Sequence, residues 1–150
     1  MNLLTIKPLV TPEEVTNFLP HQHPFVMVDT LIDRTESEAT SQFLIKSDNV
    51  LVNDGIFQES GLIENIAQTI ALKAGYESVL RNEEPQIGFI IQIKDLEIFD
   101  LPQAGEIITT KIKITMNLPQ MLVIEGKSFL EDKVLITCEI RIFLDNQTQG

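Results

Sequence analysis

The sequence is poor in thiols, in imidazoles and in positive charge. It has one cysteine, two histidines and no tryptophan. Cys138 has no partner for an intramolecular disulfide, which points to a reducing compartment, the cytoplasm. Together with His21 and His23 it leaves too few soft ligands for a zinc site, and the His-x-His spacing lacks a third ligand, so no metal is assigned. Lys and Arg number 11 against 22 Asp and Glu, a net charge of −11. No basic run offsets that balance. Nucleic acid and anionic membrane surfaces are themselves polyanions and are excluded as partners. No apolar run approaches the roughly 18 residues of a membrane-spanning helix. Residues 1–7 lack the charged start, apolar centre and small-residue cleavage site of a secretory leader. Gly-x-Ser-x-Gly, P-loop and dinucleotide glycine patterns are missing as well.

What remains is a globular composition. The 150 residues are 43% hydrophobic and 22% charged, which suits one domain able to bury roughly two-thirds of its unfolded surface. There is no repeat, linker or low-complexity tract. Thr11-Pro12-Glu13-Glu14 reads as a helix start, with Thr11 at the N-cap, Pro12 at the first helical position and Glu14 closing a capping box. Val10 and Val15 are spaced for a staple across it, and Pro20 stops the helix early. Residues 25–32 are rich in β-branched and apolar side chains and read as a strand, and residues 41–45 as a second. A loop over 49–55 carries the turn residues Asn53, Asp54 and Gly55.

A long helix is expected over 58–80. At about 100° per residue, Leu62, Ile63, Ile66, Ala67, Ile70, Ala71 and Ala74 form a wide apolar arc, with Leu72 outside it. A helix so widely apolar is one that other structure surrounds. After Pro85 the pattern alternates with period two. Ile87, Phe89, Ile91 and Ile93 share a face, and the phase slips at Lys94-Asp95 as it does at a β-bulge. Turns near residues 102–105, 117–119 and 131–133 separate three further strands, the last carrying Val134, Ile136, Cys138, Ile140 and Ile142. Sequential hairpins predict a meander of these four strands, and the polar end, 146–150, is expected to fray. One greasy helix followed by antiparallel strands is an α+β arrangement, a sheet wrapped round a helix.

Glu64 is the odd residue on that helix. It lies at the rim of the apolar arc with no Lys or Arg at i+3 or i+4, where desolvation would penalise its ionised form and suit it to general acid–base work. The plain alternative is a rim carboxylate facing water or paired across a subunit boundary. Gln68, one turn on, would orient Glu64 or a water, or simply satisfy a backbone group. Gly61 lies in the first turn, where backbone N–H groups could hold a carbonyl oxygen as charge develops, or it is ordinary turn chemistry. His21 and His23 can each accept a proton near neutrality. Cys138 and Tyr76 read as packing residues.

Two stretches resemble a known family. Leu19-Pro20-His21-Gln22-His23-Pro24-Phe25-Val26-Met27-Val28-Asp29 is similar to the Leu-Pro-His-Arg-Tyr-Pro-Phe-Leu-Leu-Val-Asp stretch of bacterial 3-hydroxyacyl-[acyl carrier protein] dehydratases. Leu62-Ile63-Glu64-Asn65-Ile66-Ala67-Gln68 looks like their Leu-Ile-Glu-Ala-Met-Ala-Gln. The resemblance implies the hotdog fold, a homodimer with acyl tunnels where subunits meet, and a lyase of fatty acid biosynthesis that needs no cofactor. One departure stands out. The family's Gly-His-Phe-Pro-Gly segment, which holds its catalytic base, is shortened here to Phe57-Gln58-Glu59-Ser60 and has lost its histidine. The shortened form is similar to divergent hotdog dehydratases of polyene- and pigment-type lipid pathways.

The implied reaction converts a 3-hydroxyacyl thioester to a trans-2-enoyl thioester. Glu64 would be the acid, His21 or His23 the replacement base, and Gly61 and Gln68 substrate-binding residues. Two rivals stay open: a thioester hydrolase on the same fold, and a non-catalytic acyl-binding subunit that pairs with an active hotdog partner. Acyl carrier proteins are acidic, so a chain of this charge must gather cations at the tunnel mouth or use coenzyme A thioesters instead. Lys73, Arg81, Lys94 and Lys111 are the candidate cations.

Overall fold

The computed structural model describes residues 7–145. The leader reading, apart from Lys7, and the polar end at 146–150 lie outside the described residues. A 3-10 turn at Val15–Asn17 comes first, followed by strands β1 (Thr30–Arg34) and β2 (Glu38–Leu44), a miniature hairpin of β3 (Val52–Asn53) and β4 (Ile56–Phe57), and helix α1 (Glu59–Leu80). Four long strands follow: β5 (Ile87–Ile98), β6 (Ile107–Leu118), β7 (Met121–Leu130) and β8 (Lys133–Asp145). Six strands form one antiparallel sheet in the order β1-β2-β6-β7-β8-β5, and α1 packs on β1, β2, β6 and β7. This is the α+β architecture of a helix held by an antiparallel sheet. No helix among the described residues is long and apolar enough to cross a membrane.

The expected helix after Thr11 shrinks to a single 3-10 turn. Half of its capping box is formed: the Glu14 carboxylate accepts the Thr11 N–H at 3.1 Å. The Thr11 hydroxyl, however, also donates to that carboxylate, at 2.9 Å, instead of capping a helical N–H. These bonds hold the Glu14 carboxyl below its ordinary value, the Thr11 N–H foremost. The strand expected over 25–32 begins only at Thr30. Its first half is buried at Val26, Met27 and Val28, but its backbone bonds to side chains of α1 at Phe25 and Met27 and joins no sheet ladder at residues 25–27. The loop at 49–55 holds β3 and the turn of the β3–β4 hairpin, made by Asp54 at φ 52° and Gly55 at φ 76°. Two successive left-handed residues are what a tight hairpin turn of this hand requires.

The meander holds for β6, β7 and β8. It fails for β5, which crosses the sheet and pairs with β8, because β2 already occupies the free edge of β6 in unbroken register from Glu38↔Lys113 to Leu44↔Ile107. The bulge anticipated at Lys94-Asp95 is present: the β5–β8 register shifts between Lys94 and Glu97, and Asp95 has φ 52°. A second shift, between Ile90 and Gln92, has no mark in the sequence.

The core joins α1 to the sheet through Leu62, Ile66 and Leu72, with Ile108, Ile124, Ile136 and Ile140 opposite. Gly126 of β7 admits Ile66: a Cβ there would lie 2.5 Å from its Cγ2. The buried stripe of α1 differs from the expected arc. Leu72 is fully buried, Ala74 is exposed, and Ile63, Ala67 and Ala71 are half-buried, while Asn65, Thr69 and Lys73 are buried. The polar three are tolerated because each has partners. Thr69 shares a hydrogen bond of 2.7 Å with Ser41 and donates to the Asn65 carbonyl oxygen at 2.8 Å. Lys73 donates to the Glu36 carbonyl oxygen at 2.9 Å and to the Glu77 carboxylate at 2.8 Å, which Arg34 also meets. Cys138 is a buried free thiol, and burial pushes its pKa up to about 11.

Candidate active site

Residues 15–28 lie as a strap across α1. Phe18 is pressed onto the helix at Gly75, where a Cβ would stand 2.0 Å from the Phe18 carbonyl oxygen. Only glycine lets backbone come so close. The Phe18 ring also meets Tyr76 at a centroid distance of 5.8 Å, which gives the single tyrosine its packing role. Further along, Phe25 N–H closes a turn onto the Gln22 carbonyl oxygen at 2.9 Å.

The turn brings His21 to Glu64. His21 Nε2 lies 3.7 Å from Glu64 Oε1, with the side chains 31% and 41% exposed in the single chain. His23 is exposed, and among the described residues no hydrogen bond or ion pair joins it to Glu64. Of the two histidines in the motif, one is therefore beside the carboxylate and the other is exposed and not bonded to it. Behind the ring, His21 Nδ1 is buried without a hydrogen-bond partner. A histidine used in proton transfer is usually oriented by a bond at its rear nitrogen, and this one is not.

Gln68 joins the strap to the carboxylate. Its Oε1 accepts the Met27 N–H at 2.6 Å, and its Nε2 donates to the Phe25 carbonyl oxygen at 2.9 Å and to Glu64 Oε1 at 3.2 Å. One buried amide thus bonds both the strap backbone and the Glu64 carboxylate. Gly61 does not match the donor role expected of it. Its N–H bonds to the Gln58 carbonyl oxygen at 2.9 Å. The Phe57 ring covers it so closely that a Cβ would sit 2.4 Å from Phe57 Cζ. The glycine is there to admit an aromatic ring.

Sequence reasoning passed over Asn65. It is fully buried, donates from Nδ2 to the Met27 carbonyl oxygen at 2.7 Å, and accepts at Oδ1 from Thr110 at 2.5 Å. Thr110 in turn shares a 2.7 Å bond with Ser128. The signal was Thr110 itself, a hydroxyl in the inward phase of an alternating strand, which requires a buried partner. Asp29, the last residue of the first motif, accepts the Leu44 N–H at 2.9 Å and the Thr30 hydroxyl at 2.7 Å. Burial raises its carboxyl above the ordinary value, against the opposing pull of those donors and of Lys46.

With this geometry in hand, likeness to known proteins is informative. The ApeP-like dehydratase family, described as ApeP dehydratase, matches residues 13–150. The chain belongs to the ApeP-like dehydratase family. The match covers the strap, α1 and the whole sheet. A 3-hydroxyacyl-[acyl-carrier-protein] dehydratase FabZ of Sulfurimonas denitrificans is 22% identical over 144 residues, covering 87% of this chain and 94% of that protein. The dehydratase heterocomplex ApeI:P of Xenorhabdus doucetiae superposes with a TM-score of 0.79 at 21% identity, over 90% of this chain and 93% of its own. A hypothetical thioesterase of Streptococcus pneumoniae, solved with coenzyme A, reaches a TM-score of 0.63 at 10% identity, over 77% of this chain and 84% of its own. The fold of this ApeP-like dehydratase is the hotdog fold.

Two of the cations considered for docking a carrier lie elsewhere. Lys73 is buried in its bonds to Glu36 and Glu77. Lys111 lies between Thr110 and Ile112, which point to the helix side, so it faces the outer surface of the sheet.

Proposed function

We propose that this ApeP-like dehydratase converts a 3-hydroxyacyl thioester, carried by an acyl carrier protein, to the trans-2-enoyl thioester with release of water, in cytoplasmic fatty acid or polyene-type lipid synthesis. The observation that carries the reading is the approach of His21 to Glu64 within a dehydratase family match. In the reaction His21 Nε2 takes the proton from C2, the C3–O bond breaks as the Glu64 carboxyl protonates the leaving hydroxyl, and the C2=C3 bond forms. The proton then returns from His21 to Glu64, its neighbour at 3.7 Å, and both groups are reset. Charge that builds on the thioester oxygen is stabilised by the positive end of the α1 dipole. His21 thus supplies the proton acceptor that the shortened segment before α1 no longer holds.

Glu64 is too exposed in one chain to work in a dry channel, and β5 supports the view that a second chain shelters it. β5 is an edge strand with both faces uncovered. Ile87, Phe89, Ile90, Ile91 and Ile93 are all exposed, an arrangement that proteins leave bare only where something pairs with it. A second copy of this chain, joined edge to edge through β5, is the proposed partner. The Xenorhabdus doucetiae relative occurs in a heterocomplex, and a sister hotdog chain is the alternative.

The test offers the purified chain a 3-hydroxyacyl thioester and a saturated one, on acyl carrier protein and on coenzyme A. Formation of the conjugated enoyl thioester is expected, lowered about 10²- to 10⁴-fold in Glu64→Gln. Near-normal turnover in that variant would remove Glu64 from the mechanism. Thiol release from the saturated compound would make the chain a hydrolase. An inactive pure chain that recovers with a sister subunit would make the working enzyme a heterodimer.

A further inference from the structure

A catalytic imidazole has to be aimed, and the ring of His21 has nothing behind it to do so. Its Nδ1 is buried and unpartnered, so its direction is set by the backbone that carries it. That backbone belongs to the strap, and residues 25–27 of the strap are tied to α1 by side-chain amides where a strand would be tied by a neighbouring strand. Gln68 holds the Met27 N–H and the Phe25 carbonyl oxygen. The Met27 carbonyl oxygen is held by Asn65 alone among the described bonds, at 2.7 Å.

Asn65 is itself fixed from the far side. Its Oδ1 accepts from Thr110, whose hydroxyl is shared with Ser128, and all three residues are fully buried. The Met27 carbonyl oxygen settles which end of the amide faces the strap, because a flipped amide would set oxygen against that oxygen, and Thr110 takes up the end left over. The chain of bonds runs from the sheet through the helix to the strap, and it ends two residues beyond the turn that presents His21. Asn65 also directly follows Glu64 on α1, so the residue that fastens the strap is rooted beside the carboxylate.

We infer that Asn65 is a positioning residue: it holds the Met27 carbonyl so that the strap presents His21 Nε2 to Glu64. The inference deepens the proposed dehydration, on which its kinetic test rests. A buried polar network that only stabilised the core would be needed for folding and indifferent to the His21 ring.

Asn65→Ala and Asn65→Asp are compared with the parent chain by steady-state kinetics on the 3-hydroxyacyl thioester and by ¹⁵N NMR of the His21 ring at fixed pH. Thr110→Val serves as the control, since it removes a bond of the same network and leaves the one to Met27. Asn65→Asp keeps the size of the side chain and the acceptor for Thr110, and when ionised it replaces the donor with a charged acceptor, so at a pH where that carboxyl is ionised it carries the test where Asn65→Ala does not fold. The expected result is a kcat lower by about tenfold to a hundredfold, a KM changed by less than about threefold, and displaced His21 ring resonances. Thr110→Val should lose stability with a much smaller effect on kcat. Unchanged His21 resonances, or a kcat loss equal in Thr110→Val at matched stability, would overturn the inference. Should the parent chain prove inactive both alone and with a sister subunit, the dehydratase reading fails by itself, and the His21 resonances alone decide the role of Asn65.

Discussion

The two ends of the sheet are finished to different degrees. At the end formed by β1, β2, β6 and β7 the helix covers one face, and the polar groups beneath it, Ser41, Thr69, Asn65, Thr110 and Ser128, are bonded to one another. At the other end β5 reaches beyond the helix with Phe89 and Ile91 more than half exposed. Both stretches are rich in isoleucine and phenylalanine, so composition does not separate them. What separates them is whether the chain itself supplies a cover. The closed end holds the His21–Glu64 pair, and the open end is where the proposed second chain would pair. Phe25, 63% exposed and only a few residues from His21, is the one large apolar side chain of the strap left as bare as β5.

The most forceful way to break this division is to charge the open end. Ile91→Asp, at a side chain 58% exposed, places a carboxylate on the bare edge and costs the folded chain little, since surface substitutions are usually within about 0.5 kcal/mol. The parent chain should sediment at the mass of two chains and the variant at the mass of one, with turnover falling alongside. An unchanged mass, or full turnover by single chains, would show that the closed end is sufficient alone.

A strike at the closed end should be smaller. Gly75→Ala drives a methyl group into the Phe18 carbonyl oxygen. Crowding of this kind costs about 1–3 kcal/mol, partly offset by the roughly 1 kcal/mol gain of alanine over glycine in a helix. Urea unfolding should show a net loss of that order. Because the strap must lift, kcat should fall while the mass by sedimentation stays that of the parent. A gain in stability would mean that the strap is loosely held.

The smallest effect sharpens the comparison through pH. The Asp29 carboxyl is raised above its ordinary value of 3.8 by burial. A group that titrates higher folded than unfolded binds its proton more tightly in the folded state. Its contribution is therefore fully present below the ordinary value and is lost as pH rises through the raised one. Asp29→Asn should remove that slope from the melting temperature on the acid side. It should shift the plateau at neutral pH by about 1 kcal/mol or less, since the amide keeps only part of the bonding to Leu44 and Thr30. An identical slope in parent and variant would show that Asp29 has no share in it.

Much of the fold was legible because local physics is strong there. The alternation at Ile108, Thr110 and Ile112, the turn chemistry at Asp54-Gly55 and the phase slip at Lys94-Asp95 all act within a few residues, and each feature stands where it was read. The first half of the strand expected over residues 25–32 failed for the opposite reason. Val26, Met27 and Val28 are as β-prone as any strand, but the backbone of Met27 bonds to Asn65 and Gln68, some forty residues away, and the pattern of apolar residues says nothing about who the partner is. Glu64 was visible as an unpaired carboxylate on a greasy helix. The choice between His21 and His23 was not, since two residues of one turn differ in sequence only by position.

By itself the sequence determined that there is one long helix, that long antiparallel strands follow it, and that Glu64 lacks a local counter-charge, because helical and strand periodicity are properties of neighbouring residues. Only the tertiary structure decided that β5 crosses to the far edge, that Gly61 admits a ring, and that His21 is the histidine beside the carboxylate. Those outcomes depend on which distant surfaces meet, and close packing admits few arrangements of them once the helix has settled on the sheet.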